Sequence, residues 1–273
     1  MFIVNPIKFH SPSFGIFIND VNNEDGDIRY RGDTMLCRED LYLPEVVDFL
    51  DNKYKNTPKV NVIMHACSDG EEVYSFLGVL ISRLKEKADK FLPLTAKDID
   101  ADHLKLAKRG VYDITDAEYI MANDAMNGNF YNCFEPTLSK GQKKLRYKNT
   151  TTVKVDSYLK NYVNFEQSNI LEDVKKTDFK NTILFARNFW PYLCSYDREK
   201  LASTLSKKMD SSSTLIIGDY DKLTGNVDLL LEKYGFVEKV SNVYEKLQDN
   251  KQQNIFISSN AKSNIDYYPY YYK

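Results

Sequence analysis

What most constrains the fold of this chain is an alternation of strand-like and helix-like segments that begins at residue 60. VNVIMHA is a short apolar, β-branched run and SDG turns it. EEVYSFLGVLISRLKEK then places Val73, Phe76, Leu77, Leu80, Ile81 and Leu84 on one helical face. FLPLTAKDID reads as a second strand, and ADHLKLAKRG as a short helix stopped by Gly110. TILFAR, DREKLASTLSKKM and STLIIG repeat strand, helix, strand, and FVEKV with NVYEKL close the series as a final pair. Alternation of this kind requires an α/β fold, a mostly parallel sheet with helices on both faces.

The pattern weakens between Tyr112 and Asn164. There LRYKNTTTVKV suggests two short strands and DSYLKNYVNF a third, so a small inserted antiparallel β patch is expected over 112–164. Residues 1–31 read as an N-terminal extension of one short strand and loops, and 32–247 as the main domain. Residues 248–273 read as a tyrosine-rich tail, ending in YYPYYYK, that folds back along the domain or mediates self-association into a homo-oligomer.

Charge narrows the partners. The 37 basic and 39 acidic residues nearly cancel, so no global positive field draws in nucleic acid or an anionic membrane surface. No apolar run approaches the roughly 18 residues of a membrane span, and the first residues lack a secretory pattern, which places the chain in the cytoplasm. Cys37, Cys67, Cys133 and Cys194 are widely spaced and only His10, His65 and His103 could assist them, so reduced thiols and no metal site are expected.

In an open α/β sheet the ligand lies beyond the carboxyl ends of the strands, which directs attention to HACSDGEE after the first strand. Gly70 would let backbone approach a ligand closely, the following helix N-terminus would meet a carboxylate, and Glu71 or Glu72 an ammonium. The plainer alternative is that Ser68 or Asp69 caps the helix and the glutamates favour its dipole. Asp98, at the end of the second strand, suits the two hydroxyls of a ribose, while Asp100 reads as the cap of the next helix. Neither strand is followed by G-x-G-x-x-G, which favours an adenosine cofactor without a diphosphate.

With these residues in place the chain resembles the CheR-type chemotaxis-receptor methyltransferases, which move a methyl group from S-adenosylmethionine to receptor glutamates. The family's A-x-S-T-G-E-E-P-Y-S is similar to ACSDGEEVYS at 66–75, and its A-S-D-I-D-x-x-x-L-x-x-A-R-x-G-I-Y to AKDIDADHLKLAKRGVY, ending at Tyr112. Its C-R-N-V-M-I-Y-F matches ARNFWPYL at 186–193, and its N-L-T-x-F-F-R-E matches GDTMLCRE. The resemblance implies a Rossmann-like class I methyltransferase fold with a mostly parallel seven-stranded sheet. It also implies S-adenosyl-L-methionine as cofactor, S-adenosyl-L-homocysteine as product, and a protein acceptor.

Carried over position by position, it puts Thr34, Arg38, Ala66, Gly70, Glu72, Asp98, Asn169, Ile170, Ala186 and Arg187 around the cofactor. Asn169, in FEQSNILED, falls at the adenine. Arg38 and Tyr192 fall at the methyl-transfer end, Arg38 guiding an anionic acceptor and Tyr192 forming a wall beside the methyl group. Departures are Gly32 for the family's asparagine, Asp69 for its S-T-G threonine, FWPYL for V-M-I-Y-F, and no helical domain ahead of Arg38. A glutamate acceptor, with a pKa of about 4.3, needs no base, and His65 and His103 read as a packed strand residue and a helix-surface residue. The competing readings are an idle CheR-like regulator that binds S-adenosylmethionine or S-adenosylhomocysteine, a methyltransferase for another acceptor, and a scaffold with a disused pocket.

Overall fold

The computed structural model describes residues 34–138 and 150–247, together with the backbone of a two-residue ladder, β1 (Val21–Asn22) with β2 (Ile28–Arg29). The expected tail from Gln248 onward lies outside the described residues, as does LRY of the expected β patch.

α1 (Leu43–Lys53) leads into β3 (Asn61–His65), α2 (Glu71–Leu84), β4 (Leu94–Asp98) and α3 (Ala101–Arg109). β5 (Val111–Ile114), α4 (Asp116–Ala125), α5 (Phe130–Cys133), β6 (Phe134–Pro136), β7 (Thr151–Val155) and α6 (Ser157–Lys160) follow. The chain continues through β8 (Val163–Gln167), α7 (Ile170–Lys176), β9 (Thr182–Ala186), α8 (Ser195–Lys208) and β10 (Thr214–Ile216). It closes with α9 (Asp219–Gly225), α10 (Val227–Lys233), β11 (Phe236–Val240) and β12 (Val243–Lys246).

Seven strands form the main sheet in the order β8-β4-β3-β9-β10-β12-β11. All neighbours run parallel except at β12, which is antiparallel to both β10 and β11. The chain moves outward from β3 through β4 to β8, then crosses back and builds the other half from β9. The order therefore reverses between β3 and β9, and a crevice opens at their carboxyl ends.

All five residues of β9 are buried, as a central parallel strand with both faces covered requires. Its side chains alternate between two apolar clusters: Ile183 and Phe185 join Phe76 and Leu80 of α2, while Leu184 and Ala186 join Leu201 and Leu205 of α8. α1 belongs to no expected element. Pro44 sits at its start, and Val46, Val47 and Leu50 are buried in the same cluster as α2.

The antiparallel patch is present in the order β5-β7-β6, and extends from Val111 to Val155. DSYLKNYVNF is not its third strand, however. It splits into α6 and β8, and β8 pairs parallel with β4 in the main sheet. Phe165 and the half-apolar face of β8 carry too short a pattern to distinguish an edge strand of a large sheet from a strand of a small one.

Candidate functional site

The loop after β3 is tightly constrained. Ala66, Ser68 and Gly70 all have positive φ, at 55°, 48° and 85°. For the two non-glycine residues that conformation costs about 1 kcal/mol each and persists only where surrounding bonds enforce it. Here the Cys67 amide donates to the Lys97 carbonyl (3.1 Å), the Ser68 amide to Asp98 Oδ2 (2.7 Å), and the Tyr112 hydroxyl to the Asp69 carbonyl (2.8 Å). Gly70 is required for a reason other than ligand approach. A Cβ there would lie 2.8 Å from Ala107 Cβ and 3.2 Å from the Tyr112 hydroxyl, so protein rather than ligand fills that space.

Neither Ser68 nor Asp69 caps α2; the cap position is Gly70, without a side-chain hydrogen bond. Asp69 instead meets His103 Nδ1 at 2.6 Å, which makes His103 half of a partly buried pair rather than a plain surface residue. Asp100 does cap α3, accepting from the Asp102 amide at 2.7 Å.

Asp98 is 7% exposed, and each of its oxygens already holds one amide, Ser68 on Oδ2 and Asp100 on Oδ1 at 2.9 Å. Burial pushes its carboxyl above the ordinary range against those two hydrogen bonds. A carboxylate oxygen accepts more than one hydrogen bond, so the pair of oxygens can also take two hydroxyls. The turn that leads to Asn169 is joined to this point, because the Ser168 amide donates to the Asp98 carbonyl at 2.8 Å. Asn169 itself caps α7 through Oδ1, which accepts from the Leu171 amide at 2.9 Å.

Arg187, immediately after β9, is gripped by two carboxylates. Its Nη1 pairs with Glu72 and its Nη2 with Asp40 Oδ1 at 2.7 Å. Glu72, expected to face a ligand ammonium, thus already holds a cation of the protein. Burial opposes the charge on Arg187, but the Glu72 and Asp40 carboxylates outweigh it and hold the guanidinium above its ordinary pKa. Asp40 Oδ2 also accepts from Asn188 Nδ2 at 3.2 Å, and the Asp40 carbonyl from Asn242 Nδ2 at 2.8 Å. The loop behind is pinned by buried Asp221, which accepts the amides of Asn188, Gly218 and Trp190 at 2.7, 2.8 and 3.1 Å. Burial pushes the Asp221 carboxyl up to about 7. Gly218 is obligatory beside it, since a Cβ would fall 1.9 Å from Asn188 Oδ1.

Of the ten residues expected around the cofactor, Thr34, Arg38, Glu72 and Arg187 line one small cavity together with Cys37 and Ser75. Ala66, Gly70 and Asp98 meet in the loops at the ends of β3 and β4, and Asn169 adjoins them through Ser168. Ala186 and Ile170 sit differently: both side chains are buried in the second apolar cluster, and the Ala186 carbonyl accepts from Trp190 Nε1 at 2.7 Å. Tyr192 lies in the 3-10 turn Trp190–Tyr192, half-buried, with its ring 6.0 Å from that of Tyr220. Sequence reasoning missed Asp40 and Asp221. Asp40 stands two residues beyond Arg38, just past the matched motif, and Asp221 lies in GDYDKL three residues after the strand-end glycine, where it reads as an ordinary capping acid.

The donor set fits a cofactor that joins an adenosine to an amino acid through a sulfonium. Asp98 suits the ribose, Glu72 the ammonium, and the buried Nε of Arg187, which has no partner, a further acceptor.

Comparison with known proteins names the same cofactor. The family model described as "CheR methyltransferase, SAM binding domain" matches residues 33–236. Chemotaxis protein methyltransferase 1 of Vibrio cholerae is 25% identical over 235 residues, covering 81% of this chain and 78% of that protein. A chemotaxis protein methyltransferase of Borreliella burgdorferi is 24% identical over 198 residues, covering 67% and 62%. A TehB-like SAM-dependent methyltransferase of Corynebacterium glutamicum aligns in structure with a TM-score of 0.36 and 10% identity, covering 76% of this chain and 88% of that one. The match over most of the chain, laid on the crevice between β3 and β9, makes it a member of the CheR family and an S-adenosylmethionine-dependent methyltransferase.

Proposed function

We propose that this chain methylates a carboxylate of a protein acceptor, a glutamate side chain, using Arg38 and Tyr192 at the transfer end of the crevice. The observation that carries the reading is the state of the two histidines among the described residues. His65 is buried against Asp173 at 2.8 Å and His103 is paired with Asp69 at 2.6 Å. Neither lines the small cavity that Arg38 shares with Thr34, Glu72 and Arg187, where a hydroxyl or amine acceptor would require a general base and an ionised carboxylate would not. The relatives named as chemotaxis protein methyltransferases support the same acceptor class.

When bound, S-adenosylmethionine supplies an electrophilic methyl group on sulfur. What the chain contributes is alignment and charge. Asp98 and Asn169 hold the nucleoside, Glu72 and Arg187 the amino-acid end, and Ala66 and Gly70 shape the loop between them. Arg38 attracts the anionic acceptor, and Tyr192 limits its approach to near-attack contact of roughly 3–3.5 Å.

The test pairs labelled-methyl incorporation into protein, scored for release by mild base, with calorimetric affinity for the demethylated product. A base-labile label is expected. Tyr192→Phe is expected to lower turnover about tenfold or more while cofactor affinity barely moves. A label that resists base would name a different acceptor. Product binding with no transfer to any protein fraction would make the chain an idle regulator.

A further inference from the structure

The ion cluster at the end of β9 contains one guanidinium and two carboxylates. Arg187, with its side chain 3% exposed, is gripped by Glu72 on one side and by Asp40 at 2.7 Å on the other. A single carboxylate would suffice to neutralise a buried arginine. If Glu72 were that partner alone, its charge would be spent inside the protein. Asp40 changes this: with Arg187 already compensated, the Glu72 carboxylate remains an effective negative charge in the cavity it lines with Thr34 and Arg38. Asp40 is itself held firmly, by Asn188 Nδ2 on its second oxygen and by Asn242 Nδ2 on its carbonyl. It also belongs to the stretch from Thr34 to Leu41 that is anchored by buried Leu36 and Leu41 and by the Cys37 amide on Ser75 Oγ at 2.9 Å.

Charge in this crevice acts differently on the two forms of the cofactor. S-adenosylmethionine and S-adenosylhomocysteine share adenosine, ammonium and carboxylate, and differ in a sulfonium cation against a neutral thioether. We propose that Asp40 is a positioning residue that sets the preference between substrate and product cofactor, by compensating Arg187 so that Glu72 favours the sulfonium form. The inference rests on the cofactor named by the family and extends to a residue outside the family's matched motifs.

The experiment compares calorimetric affinities for S-adenosylmethionine and S-adenosylhomocysteine in the wild-type chain, Asp40→Asn and Asn242→Ala. Asp40→Asn keeps the size of the side chain and removes its charge. It is expected to weaken S-adenosylmethionine roughly threefold to tenfold more than S-adenosylhomocysteine. Asn242→Ala releases the Asp40 carbonyl without altering charge and is expected to move both affinities by the same factor. If Asp40→Asn fails to fold, Asp40→Ser carries the same comparison, and Asp40→Glu is expected to retain the wild-type ratio. Equal shifts for both ligands in Asp40→Asn, or none, would reduce Asp40 to a structural tie and overturn the inference. A wild-type chain that binds neither ligand would instead overturn the cofactor reading on which it rests.

Discussion

Asp98 shows how one side chain serves two purposes at once. Its oxygens hold the Ser68 and Asp100 amides, and so maintain the left-handed Ala66 and Ser68, while their remaining lone pairs are proposed to accept the hydroxyls of a ribose. Asp98→Ala is expected to lose about 1.5–3 kcal/mol of cofactor binding, a tenfold to hundredfold drop in calorimetric affinity, and also to loosen the loop. Asp98→Asn keeps one acceptor oxygen but sets its NH2 against the second amide, and is expected to melt between Asp98→Ala and the wild type while still binding weakly. Unchanged affinity in both variants would remove the ribose assignment. That Asp98 was a ligand candidate could be read from its place at a strand end. Its hold on Ser68 could not, because that bond spans thirty residues of sequence and exists only once β3 and β4 lie side by side.

At the scale of elements, α7 carries Asn169 at its cap and must be held at a fixed distance from β3 and β4. Asp173 on α7 does this by accepting from His65 Nε2 at 2.8 Å and from Lys97 Nζ at 2.9 and 3.0 Å. Burial alone would raise the Asp173 carboxyl, but the His65 and Lys97 hydrogen bonds outweigh it and hold it well below the usual carboxylate range. Burial also holds the His65 imidazole below its ordinary value. A depressed Asp173 contributes stability at neutral pH, above its unfolded value, and loses it as pH falls through the folded value. Asp173→Asn is therefore expected to cost about 1–3 kcal/mol in denaturant unfolding at pH 7. The gap should narrow as the solution is acidified below the ordinary carboxylate range. A gap that stays constant with pH would show that charge has no part in the clamp. β3 and β4 were legible from their apolar pattern, whereas α7 and the clamp were not: seven residues of helix carry too short a period to stand out, in sequence His65 read only as a packed strand residue, and nothing marked Asp173 as its partner.

For the whole molecule, the two apolar clusters on either face of the sheet draw on Leu36 at one end of the described chain and Tyr244 near the other. On this ground we propose a main domain over 32–247. A fragment spanning 32–247 is accordingly expected to unfold in one cooperative transition and to bind S-adenosylhomocysteine within about threefold of the full chain. Loss of binding in a folded fragment would assign part of the site to the termini.

The sequence by itself determined the class of fold and the cofactor, and it singled out Asp98 at a strand end as a candidate ligand. Apolar periodicity, turn residues and ordered motifs are local properties, and they survive in one dimension. What only the tertiary structure decided is how charges are shared among them. Glu72 meets Arg187 rather than standing open, Asp69 meets His103 rather than capping α2, and Asp40 completes an ion cluster that no motif marks. Val163–Gln167 likewise joined the large sheet because β4 offered a parallel edge, a choice that five residues of pattern cannot make. Ion pairing and strand placement depend on which distant segments the fold brings within a few ångströms, and that information resides in the packing of the two faces of the sheet.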